Sequence, residues 1–371
     1  MSFFERQSSD DDPRTGPTPW LMYLGFVLLV LAVLGAVLFA LAPSPYVIER
    51  PGPVYDTLGD VENADGDEVP LIDIPDADTY PTSGSLDLLT VYLDGSRERP
   101  LTWIDVATAW FDPSRSILPI EVIYPDGQTE EESDEESAAD MRNSQQDAVA
   151  AALGALDIPI EGTLVIDGVV EGSPAEGVLD AGDEVLSAAG RPVSDVDQLR
   201  DVLVQAGVGV PVDLRIRRDG VEQIVTVVPA ASPQDGSAVI GVYASTRYDE
   251  FPIDVRIQLE NVGGPSAGMM FALGIYDKLT PGELTGGEHI AGTGTISSRG
   301  EVGPIGGIVQ KMYGAQAAGA DWFLAPQTNC AEVVGRIPAG LEVFAVDDLT
   351  GAIETVEAIA DGETSQLQRC D

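Results

Sequence analysis

The chain has 371 residues, a hydrophobic fraction of 44% and a net charge of -43 at pH 7. Its length and apolar content exclude a disordered tail and leave room for two or three domains with a buried core. The charge excludes a nucleic-acid surface, because phosphate binding needs clustered Lys and Arg and the basic residues here are few and scattered; the acidic excess reads as a solvated exterior.

In chain order, residues 1–19 are expected to be a cytoplasmic N-terminus. Trp20 to Leu41 follows as a run of 22 residues without a charge, the length of a helix that crosses a hydrocarbon core of about 30 Å. It opens on Trp20 and Tyr23, side chains suited to the membrane interface. Ala40-Leu-Ala42 has the small-x-small form of a cleavage site. The apolar stretch is nevertheless too long for a signal peptide, and the segment before it, with Glu5 and Asp10 to Asp12, is not basic. The expectation is an uncleaved single-pass anchor in the cell membrane. Arg6 and Arg14 before the span, and a large acidic domain after it, place the N-terminus inside and the bulk of the chain outside. Cys330 and Cys370 suit that compartment: a bridge between them would close a loop of about 40 residues and add about 4 kcal/mol in the chain-entropy model, the alternative being two free buried thiols.

Residues 46–156 read as a mixed membrane-proximal module with an acidic linker. It has a strand over Leu86 to Leu93 and a helical patch over Trp103 to Phe111. Glu130 to Glu136, EEESDEE, is a solvated linker or helix start rather than a metal cage, since it lacks a turn-forming glycine and ordered ligand spacing. A more helical stretch follows, Ala138 to Leu156.

From 157 to 231 the pattern changes to short strands around one helix. Thr163 to Val170 is followed by GSPAEG at Gly172 to Gly177 and AGDEVLSAAGRPV at Ala181 to Val193. A helix with Val196, Leu199, Leu203 and Ala206 on one face comes next. Val212, Leu214 and Ile216 alternate, Asp219-Gly220 turns the chain, and Ile224 to Val228 returns as a strand. This segment resembles a PDZ domain of the bacterial protease type. The resemblance implies binding of extended chain ends by strand addition, with a terminal carboxylate received near Glu161-Gly162-Thr163, although the usual Gly-Leu-Gly-Phe-like signature is absent.

Beyond 240 the stretch NVGGPSAGMM sets Ser266 between small residues: Gly264, Pro265, Ala267 and Gly268. A serine hydroxyl needs a base, and the chain has one histidine, His289. Three readings compete. A G-x-S-x-G nucleophile elbow requires a preceding strand and a later acid and histidine, but His289 follows 23 residues on in the polar stretch GGEHI and reads as an exposed turn residue. A structural reading makes Ser266 the cap of the helix carrying Met269, Met270, Leu273 and Ile275. The third pairs the serine with lysine. Of 19 basic residues seventeen are arginine and only Lys278 and Lys311 are lysine, and a desolvated lysine, unlike arginine, can give up its proton. Lys311 follows Pro304-Ile-Gly-Gly307 on a helix whose apolar stripe is Ile308, Met312, Ala315 and Ala318. At the edge of that stripe it is partly desolvated, and a pKa brought down to ~7 to 8 leaves roughly 10 to 50% neutral at pH 7, enough for a general base.

GPSAG followed by TG-I, G-V-PIGG, lysine and alanines resembles the Lon protease proteolytic domain over about 240–358. The resemblance implies that Ser266 is the nucleophile, Lys311 its base and Thr293 the hydroxyl that orients the lysine, with Gly264, Pro265 and Ala267 shaping the turn and nearby amides holding the oxyanion. It departs from the family at Val262-Gly263, where Lys-Asp is usual, and at Thr295, where Glu is usual, so a different arrangement of the loop before Ser266 is expected. No G-x-x-x-x-G-K-[S/T] occurs in these residues, so no ATPase module and no cofactor are expected. The expected fold is α+β: a transmembrane helix, the mixed module, a PDZ-like β-sandwich or barrel with a helix, a Lon-type α+β proteolytic domain and a tail over 359–371. The expected function is an ATP-independent serine endopeptidase for unfolded or flexible proteins, with the PDZ domain recruiting substrate. A homo-oligomeric ring is what the resemblance suggests. The rival is a non-catalytic adaptor whose PDZ domain holds partner chain ends.

Overall fold

The computed structural model describes residues 19–63, 66–125, 127, 129–232, 236–248, 250–259 and 262–370. The expectations for the first eighteen residues, including Arg6 and Arg14, lie outside the described residues. The chain divides into two compact units: the described residues up to Ile48 with Leu93–Pro125, and Glu49–Tyr92 with the described residues from 127 onward.

The first unit contains α1 (Pro19–Ala40), which among the described residues is the one helix long and apolar enough to cross a membrane. Its described side chains are almost all exposed, as befits a helix with no polar face to turn outward. At its end the Phe39 ring stacks on Trp103 with centroids 5.5 Å apart. Trp103 opens α2 (Trp103–Ala109), whose first turn is capped through the Thr102 amide, which donates to the Asp105 carboxylate at 2.9 Å.

The second unit begins with β1 (Tyr46–Asp56, from Glu49 on) and continues with β2 (Ser85–Asp94, to Tyr92) and α3 (Glu130–Ala155). The acidic run is the start of that helix. Thr129 accepts from the Glu132 amide at 3.2 Å while Glu132 accepts from the Thr129 amide at 2.9 Å, and the negative charges sit at the positive end of the helix dipole. Its later turns, Ala148 to Leu153, are buried on every side.

Next comes a six-stranded sheet with one helix: β3 (Thr163–Val169), β4 (Glu184–Ala188) with the two-residue strand Arg191–Pro192 paired to it, α4 (Val196–Ala206), β5 (Val212–Arg218), β6 (Val221–Val227) and β7 (Val242–Arg247). Its five longer strands run in the order β6-β5-β4-β3-β7, with antiparallel neighbours throughout. Asp219 and Gly220, both with positive φ (51° and 78°), make the two-residue hairpin turn between β5 and β6. Leu164, Ile166, Val185, Leu199, Leu203 and Leu214 fill the core between sheet and helix, each contributing about 1.5–3 kcal/mol by burial.

The remainder runs through α5 (Gly268–Leu279), β8 (His289–Gly292), the short hairpin strands β9 (Thr295–Ile296) and β10 (Val302–Gly303), α6 (Ile308–Ala318), β11 (Trp322–Pro326), β12 (Glu342–Val346) and α7 (Leu349–Ala360). Within this unit the main sheet has the order β12-β11-β8-β2-β1, with β2, β8, β11 and β12 mutually parallel. A separate module over 46–156 is therefore corrected. Residues 49–56 and 85–92 complete a sheet whose other strands lie two hundred residues away, because Leu86 and Leu88 share one core with Met270, Leu273 and Ile290. The tail over 359–371 is likewise built in: Ala345 donates to Gln368 O (2.8 Å) and Cys370 to Val343 O (3.1 Å) along β12. Cys330 and Cys370 are bridged across a separation of 40 residues.

Candidate active site and peptide groove

Gly264 takes φ +82°, so the chain can turn into Ser266 and Ala267 and enter α5 at Gly268. Gly268 must lack a side chain, since a Cβ there would stand 2.7 Å from Ser144 Oγ and 2.8 Å from Ile296. The loop before the serine, with Val262-Gly263 in place of Lys-Asp, is docked on α3. Gly264 donates to Ser137 O at 2.8 Å, and Ser144 Oγ donates to Pro265 O at 2.9 Å.

Lys311 lies one turn into α6, which leaves the Pro304–Gly307 loop with Gly307 in the left-handed region (φ +67°). Its side chain is 2% exposed, more deeply buried than a position at the edge of an apolar stripe implied, while Ala318 of that stripe is exposed. Nζ donates to Ser266 Oγ at 2.7 Å and to Thr293 Oγ1 at 2.9 Å; Thr293 in turn donates to Ser266 O at 2.9 Å. Burial lowers the Lys311 ammonium to about 7, with the charge of Glu49 opposing the shift; burial in turn raises the Glu49 carboxyl. Removing an ammonium from water costs far more than its hydrogen bonds return unless it can shed the proton. The structure thus brings together Ser266, Lys311 and Thr293, with Gly264, Pro265 and Ala267 beside them.

Of these, Gly264, Pro265, Ser266, Ala267 and Lys311 line a cavity of about 640 Å³ whose apolar wall includes Leu89, Met141, Val262 and Ile305. Asn329, which the sequence reading passed over, holds that wall: Ile305 N donates to its Oδ1 at 2.9 Å and its Nδ2 donates to Ile305 O at 3.0 Å. Glu49 and Met141 were missed as well, because both lie far upstream in sequence. His289 is corrected from an exposed turn residue: it opens β8, at the end away from Thr293, and its Nε2 lies 2.6 Å from Asp87 Oδ2.

The peptide-binding assignment also changes. Glu161-Gly162-Thr163 leads into β3, whose two neighbours, β4 and β7, are both in place, with Thr163 opposite Arg247. A Cβ on Gly162 would stand 2.8 Å from Thr246 and 3.0 Å from Ser194 O, so Gly162 is closely packed although Glu161 is exposed. The sheet ends instead at β7, beyond the range 157–231 read as PDZ-like. It is entered through Gly241 with φ +73°.

The family profile of the Lon protease (S16) C-terminal proteolytic domain matches residues 246–358, and that of the PDZ domain matches residues 139–228. The archaeal Lon protease of Methanothermobacter thermautotrophicus is 29% identical over 140 residues, covering 37% of this chain and 21% of that one. Lon protease 2 of Bacillus subtilis is 32% identical over 95 residues, covering 26% and 17%. The PDZ domain of the SdrC-like protein from Listeria innocua is 20% identical, covering 24% of this chain and 99% of that domain, with a TM-score of 0.22. This chain spans about a fifth or less of the length of these Lon proteases. Residues 246–358 are thus similar to the Lon protease C-terminal proteolytic domain, and the stretch similar to PDZ domains, residues 139–228, precedes them.

Proposed function

We propose that the chain is a serine endopeptidase working through a Ser266–Lys311 dyad, and the observation that carries this reading is the 2.7 Å approach of a buried lysine to the serine hydroxyl. Neutral Lys311 takes the Ser266 proton as Oγ bonds to the scissile carbonyl carbon. Backbone amides around Ser266, at the N-terminal end of α5, are the donors for the developing oxyanion. The Lys311 ammonium then protonates the leaving amine as the C–N bond breaks. Water attacks the acyl-enzyme, gives its proton to Lys311, and Ser266 leaves with that proton restored. Thr293 keeps Nζ aimed through the step.

The same reading places α1 as an uncleaved membrane anchor with the rest of the chain outside the cytoplasm, and makes cleavage independent of ATP, supported by the absence of a P-loop sequence in these residues. Unfolded or flexible chains are the substrates, recruited by strand addition at the free edge of β7. The PDZ region then runs from about 157 to Arg247 rather than to 231. The test is cleavage of an unfolded protein by the full chain in detergent, with and without Mg-ATP. Ser266→Ala and Lys311→Arg should each abolish it while circular dichroism is unchanged, and wild-type rates should not depend on nucleotide. Full activity in Lys311→Arg would sink the dyad. A serine-directed phosphonate that labels Ser266 would separate the enzyme from a non-catalytic adaptor.

A further inference from the structure

The chain leaves α1 through a cluster of rings. Phe39 of the last turn stacks on Trp103, and the edge of Tyr46 meets the same Trp103 ring with centroids 5.8 Å apart. Backbone bonds tie the two segments together here: Ser44 N donates to Leu101 O at 2.7 Å and Trp103 N to Ala42 O at 3.3 Å. α2 therefore starts at the level where the apolar helix ends, and Trp and Tyr are the side chains that settle at a membrane–water boundary.

α2 buries one side only. Val106 and Ala109 face inward, while Ile104, Ala107 and Phe111, spaced i, i+3 and i+7, come up together on the other side and are exposed. Beside them stands Trp110. Trp110 is 77% exposed and Phe111 87%, so both large rings are left uncovered by the described protein. Scattered exposed hydrophobics are ordinary, but adjacent aromatics on an uncharged helix side, continuous with a helix of membrane-crossing length, mark an interaction surface. Charge points to its partner. Residues 19–48 have no charged side chain, and residues 93–125 set five acids against three arginines, a balance of -2 in a chain of -43. A lipid surface, neutral or anionic, can approach this nearly neutral unit without the repulsion that the acidic remainder would meet.

Resting on the reading of α1 as a membrane anchor, we propose that the outer side of α2, with Trp110 and Phe111, is a second membrane contact that lies in the headgroup–acyl boundary of the leaflet from which α1 emerges. Its ligand is the lipid surface itself and not a particular headgroup. An apolar helix side of this kind sinks about 5–10 Å into that boundary. The first unit is then held to the bilayer at two places, which fixes its tilt instead of letting it swing on α1 alone.

The two native cysteines are bridged, so Ala107→Cys places one reactive thiol on the outer side of α2 with both aromatics kept. The full chain, labelled there with an environment-sensitive fluorophore, is reconstituted into phosphatidylcholine vesicles whose lipids are brominated either near the headgroup or near the chain end. Leu31→Cys, within α1, reports the anchor, and Glu135→Cys, exposed on α3, reports water. The α2 label should be quenched, and more by the shallow bromines than by the deep ones. Adding Trp110→Ser with Phe111→Ser should reduce that quenching to the level of the α3 label while circular dichroism is unchanged. An α2 label that behaves like the α3 label while the α1 label is quenched overturns the membrane contact and leaves the anchor standing. An unquenched α1 label defeats the anchor itself, and the α2 label then decides separately whether α2 meets lipid. An α2 label shielded from aqueous iodide yet untouched by brominated lipid would mean that protein, such as a second copy of the chain, covers the surface. Quenching that persists in Trp110→Ser with Phe111→Ser would take the contact away from the aromatic pair, and either of these last two results overturns the proposal.

Discussion

At the scale of single residues, the site turns on one buried amine. With the Lys311 pKa lowered to about 7, the neutral base accumulates as pH rises through that value, so kcat/KM should show an ascending limb centred near pH 7. Glu49 acts against the burial term, and Glu49→Gln should move the limb to lower pH; a limb that stays in place would remove Glu49 from the electrostatics of the dyad. Asp147 shifts the opposite way, from 3.8 to about 7. A carboxyl raised in the folded state binds its proton more tightly there than in the unfolded chain, so its contribution to stability is complete below about pH 4 and lost as pH rises through 7. Asp147→Asn should melt higher than wild type at pH 8, by an amount worth about 1–3 kcal/mol, with the gap closing toward pH 4. Ser266 and Lys311 could be read from sequence because one lies in a distinctive motif and the other is one of two lysines. Glu49 could not, since nothing local distinguishes it.

At the scale of elements, the helices that follow Ser266 and carry Lys311 are positioned by neighbours that sequence order hides. The Pro304–Gly307 loop owes its place to Asn329, which satisfies both backbone groups of Ile305 and is 1% exposed. Asn329→Ala should cost about 1–3 kcal/mol in urea unfolding, the penalty of leaving buried backbone groups unpaired, and should raise KM by loosening the wall that holds substrate. The adjacent disulfide pins the end of the chain along β12; Cys370→Ser should cost about 2–5 kcal/mol, read as a lower thermal midpoint under oxidising conditions. The hairpin turn at Asp219-Gly220 and the helix at Val196 were legible because turn chemistry and period are local signals. The free edge was not. β7 follows β6 only after a long connection, and which strand ends a sheet depends on pairing across the whole domain, so local pattern could not single out the edge strand entered at Gly241.

At the scale of the whole molecule, the second unit interleaves the two domains instead of stringing them together. The strands β1 and β2 come from before the PDZ-type sheet, while β8, β11 and β12 come from after it, and they share one core. Residues 240–358, the range that carries the family motifs, therefore lack two strands of their own sheet and the packing of Leu71, Ile72, Leu86 and Leu88. A fragment spanning 240–371 should be molten or insoluble, whereas one from Tyr46 to the end should unfold cooperatively; chemical denaturation followed by near-UV circular dichroism distinguishes them. Parallel pairing over such separations leaves no trace in local periodicity, which is why the upstream segment read as a module of its own.

This interleaving has a consequence for how the protein comes into being. Synthesis proceeds from the N-terminus, so β1 and β2 are made first and can pair with each other, but the outer edge of β2 waits for β8, which arrives some two hundred residues later. Lys311 follows Ser266 by 45 residues, and the hydrogen bonds along β12 from Gln368 to Cys370 come later still. If the proposed dyad is the catalytic one, an unfinished chain cannot assemble it in a closed sheet, and the order of synthesis would act as a safety catch: the growing polypeptide would pass the stage at which it is most like a flexible substrate before it had the means to cut one.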